Sequence, residues 1–171
     1  MMHRIPSDTT LILAVALLSL ATLGGAYLFE YVGGLAPCPL CLQQRIPYVV
    51  GALMTVLAWQ AGGRAPMVRS LLMGLAVVAF IIGAGLGVHH SGIEWDWWAG
   101  PASCSGGGGI PLSTADLLES LKQENQIVRC DEAPWRLAGL SLAGYNVLIS
   151  AGLAFLSTLV VWRYWGPTLH E

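Results

Sequence analysis

The chain has 171 residues, of which 55% are hydrophobic and 11% charged, with a formal net charge of −2. Water-soluble domains carry about 25% charged residues, so the composition excludes an ordinary soluble domain. The slightly acidic balance offers no basic footprint for a nucleic-acid partner.

Four stretches lack any charged side chain: 11–29, 46–63, 70–88 and 137–162. About 20 apolar residues in helical form cross a bilayer core, and each stretch approaches or exceeds that length. Strands are not expected, because a lipid-exposed backbone must pair within its own segment or in a closed barrel. The sequence therefore predicts an all-α membrane protein, a four-transmembrane-helix bundle forming one integral membrane domain over 1–171. Its helices are expected near 11–29, 44–62, 68–88 and 139–162, and its outer loops near 30–43 and 89–138. The first stretch also has the basic start of a secretory leader. Its uncharged core outruns the ~7–15 residues of a leader, and no clear cleavage site follows. It is read as a crossing helix.

Orientation follows from the basic residues. Arg4, Arg64, Arg69 and Arg163 share one side if there are four crossings, whereas Lys122, Arg129 and Arg136 are spread along the second outer loop among seven acids. The denser basic side is cytoplasmic by the positive-inside rule. Both termini are then expected inside and both longer loops outside.

All four cysteines fall on the outer side. Cys38-Pro39-Leu40-Cys41 ends the first outer loop, and Cys104 and Cys130 lie in the second. Disulfides persist in oxidising compartments such as the periplasm, and four cysteines allow three pairings. A Cys38–Cys41 bond would close a small, exchangeable ring, while a Cys104–Cys130 bond would close a long loop that could equally be a staple. Spacing alone does not choose. With a helix starting near Cys41, that sulfur would sit at a positive helix end that favours thiolate. Arg45, four residues on, would share its face and could donate to a ligand oxygen. Pro47 leaves the exact helix start open.

The second outer loop adds further signals. Gly106 to Gly109 gives slack beside Cys104, which suits a cysteine that must change partners. Ser113 could cap a short amphipathic helix through Leu117, Leu118 and Leu121. Trp95, Trp97 and Trp98 read as an interfacial aromatic anchor. No metal is expected, since a four-thiolate zinc site usually comes as two tight cysteine pairs and Cys104 and Cys130 are widely separated. His89 and His90 read as outer-edge polar residues, with His90 a possible ligand contact.

Over nearly its whole length the chain resembles the family of bacterial disulfide bond formation protein B, DsbB. The likeness is carried by Cys38-Pro39-Leu40-Cys41 with Arg45, by Cys104 preceded by Trp98-Ala99-Gly100-Pro101, and by Cys130 followed by Trp135, Gly139 and Leu140, in order among four hydrophobic segments. The resemblance implies a multi-pass protein of the bacterial inner membrane with its redox cysteines on the periplasmic side. It implies an enzyme that re-oxidises a DsbA-like periplasmic thiol oxidase and passes two electrons to ubiquinone or menaquinone. By the same likeness Cys104 would meet the partner, Cys130 would attack Cys38, and Cys41 would face the quinone with Arg45 in support. The chain departs from the family at Tyr145, where a Trp is frequent, and at Pro47. A vitamin-K-epoxide-reductase-like enzyme would carry its C-x-x-C late in the chain, and a non-enzymatic adaptor would use its outer disulfides only as staples.

Overall fold

The computed structural model describes residues 7–101 and 129–165. Among them are four long helices: α1 (Asp8–Tyr31), α2 (Pro39–Ala61), α3 (Pro66–Glu94) and α4 (Leu142–Trp165). Each is long and apolar enough to cross a membrane. At about 1.5 Å of rise per residue, all four exceed a hydrocarbon core of roughly 30 Å. The expected four-helix membrane fold is the fold observed. The short helix expected after Ser113, the glycine run 106–109 and Cys104 lie outside the described residues.

The helix ends follow local chemistry. The Ser7 hydroxyl accepts the Thr10 N–H at the start of α1, and proline occupies the first turn of α2 and of α3, where its missing N–H has no helical partner to lose. Pro47 lies inside α2, so α2 begins about a turn before the expected start. The fourth helix begins later than expected. A two-residue-per-strand hairpin precedes it, β1 (Arg136–Leu137) against β2 (Leu140–Ser141), with Arg136 opposite Ser141. Its turn residues Ala138 and Gly139 have φ of 50° and 83°, the left-handed pair that a tight hairpin turn demands. The Ser141 hydroxyl then accepts the Gly144 N–H and caps α4. The turn residues take the positive φ that a helix cannot use, which is why the apolar run does not become helical from its first residue.

The helices run alternately up and down. At one end Arg163 of α4 donates to Asp8 of α1 at 3.3 Å and the Trp165 indole donates to Ser70 of α3 at 2.9 Å. At the other end lie Cys38, His90 and the start of α4. α3 is the central packing partner, with its largest contacts against α4 and α2, while α1 leans mainly on α2. Outward faces are apolar, as at Leu17, Leu71 and Phe155. The interior mixes apolar groups with Ser19, Thr55, Asn146, Ser150 and Ser157. This reversal of the soluble pattern suits lipid, where association comes from close packing and interhelical hydrogen bonds rather than from expelling water.

Small residues make that packing possible. The Phe80 ring of α3 is fully buried against Tyr48, Val15 and Leu153, and it occupies the space that a Cβ on Gly51 of α2 would fill. Gly74 faces nothing within 4 Å. Overpacking a filled core costs about 1–3 kcal/mol. Gly51→Ala should therefore lower the thermal midpoint in detergent micelles by several degrees, while Gly74→Ala should leave it within error. Equal midpoints for the two variants would contradict the packing of Phe80 on α2.

Candidate functional site

The N-terminal end of α2 organises the site. Cys38 is its N-cap, in extended conformation, and its sulfur accepts the Cys41 N–H at 3.2 Å. The sequence reading gave the helix-end stabilisation to Cys41. Because α2 starts at Pro39, the sulfur at the cap is instead that of Cys38. Cys38 and Cys41 are free thiols in mutual contact. The hydrogen bond from the Cys41 thiol holds the Cys38 thiol well below the usual range, with a further contribution from His90 that outweighs part of the burial penalty. The two sulfurs are thus unequal: their contact favours the thiolate on Cys38.

His90 is buried near the end of α3, not at an outer edge as the sequence suggested. Its Nε2 lies 3.7 Å from the Cys38 sulfur and 3.9 Å from Glu94. Cys130, also buried, is disulfide-bonded. The Cys38 sulfur, a His90 ring nitrogen and the Cys130 sulfur all lie within 4.8 Å of one another. Zinc is bound by thiolate sulfur, and the Cys130 sulfur is already committed to a disulfide. What this trio does bring together is a thiol and a disulfide at exchange distance. Around Cys130, Arg129 donates to Asp131 at 3.0 and 2.6 Å and holds that half-buried carboxyl below its usual range.

Beside the thiols opens a largely apolar cavity of about 360 Å³. Cys38, Cys41, Arg45, His90 and Glu94 line it, with Phe29, Trp135 and Tyr145 among its aromatic wall. Trp135 packs between Phe29 and Tyr145, with ring centroids at 5.3 and 6.2 Å, and the Tyr145 hydroxyl donates to the Leu137 carbonyl. Arg45 lines the cavity; its Nη1 donates to Glu30 of α1 at 2.6 Å and its guanidinium sits 4.8 Å from the Tyr27 ring centroid. Glu30 and Tyr27 escaped the sequence reading. So did Glu94, a buried carboxyl whose Oε2 has no hydrogen-bond partner among the described residues.

The expected tryptophan anchor is partly something else. Trp98 donates from its indole to the His89 carbonyl at 2.9 Å, stacks on the His89 ring and covers Gly92, where a Cβ would run into its ring. It folds back on α3, and the other two tryptophans stand more exposed around it.

Behind His90 runs a chain of buried amides that the sequence reading also missed. Gln44 Nε2 meets His90 Nδ1 at 2.7 Å, and Asn146 Nδ2 donates to Gln44 Oε1 at 2.6 Å and to the Gly83 carbonyl at 3.2 Å. The Tyr48 hydroxyl donates to Asn146 Oδ1 at 2.6 Å. An amide inside a charge-free stretch, as Asn146 is, was the unused signal, since polar groups at membrane depth are costly unless partnered.

Disulfide bond formation protein DsbB is the family that matches, over residues 8–160. The chain belongs to the DsbB family. Similar proteins named disulfide bond formation protein B include that of Methylococcus capsulatus, 30% identical over 93% of this chain and 97% of its own. Those of Marinobacter nauticus and Chromohalobacter salexigens are 29% and 28% identical, over 90% and 82% of this chain and 91% and 86% of theirs. No solved structure matches the chain at a significant level. DsbB membership and four membrane-spanning helices make this a multi-pass membrane protein of disulfide bond formation, an oxidoreductase by family.

The unequal thiols can be tested directly. Because the hydrogen bond from Cys41 and the contribution of His90 lower the Cys38 thiol, its anion is present below neutral pH and is lost only on further acidification. Alkylation of Cys38 in the reduced protein should reach its plateau rate below pH ~7, whereas an unperturbed thiol titrates near pH ~8.5. A rate still climbing through pH ~8 would place the anion elsewhere.

Proposed function

We propose that this DsbB-family protein is a thiol:quinone oxidoreductase of the bacterial inner membrane, with its cysteines on the periplasmic side. It re-oxidises a DsbA-like, thioredoxin-fold thiol oxidase and passes two electrons through two cysteine pairs to ubiquinone or menaquinone. The observation that carries this reading is the meeting of the Cys38 thiol and the Cys130 disulfide sulfur within 4.8 Å, beside a cavity that Cys38 and Cys41 line.

The sequence of exchanges balances. A thiolate of the reduced partner attacks Cys104, breaks its bond to Cys130 and releases Cys130 as thiolate. A second partner thiol then resolves the mixed disulfide, or Cys130 attacks Cys38 of a closed Cys38–Cys41 pair and releases Cys41. Each exchange breaks one S–S bond and makes another, so the electron pair moves inward without a radical.

The cavity suits a quinone ring. Its volume lies within the range of about 300–1,000 Å³ typical of small-molecule sites. Its aromatic wall is apolar, and Arg45 has N–H donors beyond the Nη1 that engages Glu30. Arg45 and His90 would hold such a ring, with Phe29, Trp135 and Tyr145 against its faces. The quinone, when bound, supplies a two-electron acceptor that dissolves in lipid. The protein's own part is to set the Cys41 sulfur on the cavity wall, keep water out with the aromatic cover, and retain Cys38 as the anion that closes the inner disulfide.

Purified protein supplied with a reduced thioredoxin-fold oxidase and quinone should consume quinone, followed by absorbance, and Cys41→Ser should abolish this. In Cys130→Ser, Cys104 should accumulate a mixed disulfide with the partner. No adduct and no quinone consumption would favour a non-enzymatic adaptor whose disulfides are staples. Arg45→Ala should raise the KM for quinone roughly ten-fold, as expected for losing a charged hydrogen bond, with partner binding unchanged.

A further inference from the structure

The buried amide chain settles which nitrogen of His90 carries the proton. A backbone carbonyl can only accept, so the Asn146 side-chain atom 3.2 Å from the Gly83 oxygen is the NH₂ group. The opposite atom, Oδ1, then accepts from the Tyr48 hydroxyl at 2.6 Å and from Ser150 at 3.3 Å, as an oxygen should. The same NH₂ group lies 2.6 Å from Gln44, whose facing atom must therefore be its carbonyl oxygen. That leaves the Gln44 NH₂ group pointing at His90 Nδ1 at 2.7 Å. Two donors cannot share that contact, so Nδ1 is the bare acceptor. A neutral imidazole has one N–H, and here it is on Nε2. Among the groups facing Nε2 are the Cys38 sulfur at 3.7 Å and the Glu94 carboxyl at 3.9 Å, and the His90 ring also hydrogen-bonds the Cys130 backbone.

We propose that the Gly83 carbonyl, Asn146 and Gln44 form a positioning relay that locks His90 as its Nε2–H tautomer, aimed at the Cys38 sulfur during exchange with Cys130. This rests on the reading of Cys38 and Cys130 as exchange partners. In that exchange the Cys38 thiolate attacks the Cys130 sulfur. One S–S bond forms, the bond from Cys130 to its former partner breaks, and the electron pair leaves on the released sulfur. In the reverse direction Cys38 leaves as the anion. In both directions its sulfur carries charge before or after the step, and one fixed N–H meets it.

The relay is built into the backbone as well as the side chains. A Cβ on Gly87 would come within 2.9 Å of Asn146 Nδ2 and 2.8 Å of Val147, so a side chain there would push the amide off α3. Gly83 likewise leaves room for Ser150 and Pro47. Gln44, His90 and Asn146 are all buried, so water does not compete for the contacts that set the orientation. Gln44, Asn146 and Gly83 act through His90, which makes them positioning residues.

The test is NMR of isotope-labelled histidine nitrogens in the reduced, detergent-solubilised protein near neutral pH. The His90 signals are identified by their loss in His90→Gln. Nε2 should report as protonated and Nδ1 as bare. In Gln44→Glu a carboxylate faces Nδ1 and should draw a proton onto it, while Gln44→Leu should leave a mixture of tautomers. A protonated Nδ1 in the unsubstituted protein would overturn the relay, and so would an unchanged pattern in a folded Gln44→Glu. The unsubstituted spectrum decides the matter even if both variants misfold. A second readout is Cys38 alkylation at about pH 6: His90→Phe should slow it about ten-fold, and His90→Gln, which keeps an N–H donor, should recover most of the rate. Equal rates in the two would overturn the role of the donated hydrogen bond. Neither measurement involves quinone or a partner protein. A protein with the expected tautomer but no quinone consumption would refute the functional reading alone.

Discussion

Asn146 joins three helices with one side chain. From α4 it donates to the Gly83 carbonyl of α3 and to Gln44 of α2, and accepts from Tyr48 of α2. A buried amide left without partners costs several kcal/mol in an apolar medium. The three helices are therefore held in the one register that satisfies it. That register sets the distance between the N-cap of α2 and the last turns of α3, and so sets Cys38 against His90. Slide α3 by one residue and Gly87 no longer faces the amide, Gly83 no longer clears Ser150 and Pro47, and His90 turns away from the sulfur.

The second dependence is on where α2 begins. Pro39 can start a helix because it has no N–H to satisfy, and Cys38 then supplies the cap. A helix N-terminus presents unpaired N–H groups and a partial positive charge. Here the sulfur is placed at that end and also receives the Cys41 thiol. The C-x-x-C spacing turns one helical turn into a division of labour: the cap sulfur takes charge, and the sulfur one turn on lines the cavity. Arg45, a further turn along, is tied to Glu30 of α1. The cation is thereby held on the cavity wall beside α1.

How much of this was legible in the sequence depends on the scale. The four crossings were plain because uncharged runs of that length have few other fates. The cysteines and Arg45 were legible because their residue types carry chemistry at a recognisable spacing. The start of α2 was less so. Pro47 looked like a first-turn proline, yet the true first-turn proline is Pro39, and Pro47 is accommodated by the bare Gly83 beside it. The start of α4 was displaced by a turn whose signal was only an alanine and a glycine in the left-handed region. His90 was misread as an edge residue because burial in a bundle depends on which face of α3 meets α2, and a nearly all-apolar helix gives little periodicity to say so. Gln44, Asn146 and Glu94 are single polar residues whose meaning appears only when three helices are superposed.

The tautomer of His90 bears on how a membrane-edge thiol can cycle. A buried anion can be steadied by a cation or by dipoles. An imidazolium beside Cys38 would pair well with the thiolate, but once that sulfur entered a disulfide it would keep only the more distant Glu94 carboxyl at 3.9 Å, and a poorly compensated buried charge costs several kcal/mol. A neutral imidazole held by Gln44, together with the N–H groups of the α2 cap, has no such liability. These donors favour the anion when it is present and leave no net charge behind when it is gone. Arg45 already has its carboxylate in Glu30 at 2.6 Å, so with a neutral His90 that ion pair stays balanced whether or not the Cys38 sulfur is charged. A bundle that must work at the rim of a hydrocarbon layer, where a dielectric response from water is scarce, gains most from that balance. The amide chain behind His90 is the part of the fold that secures it.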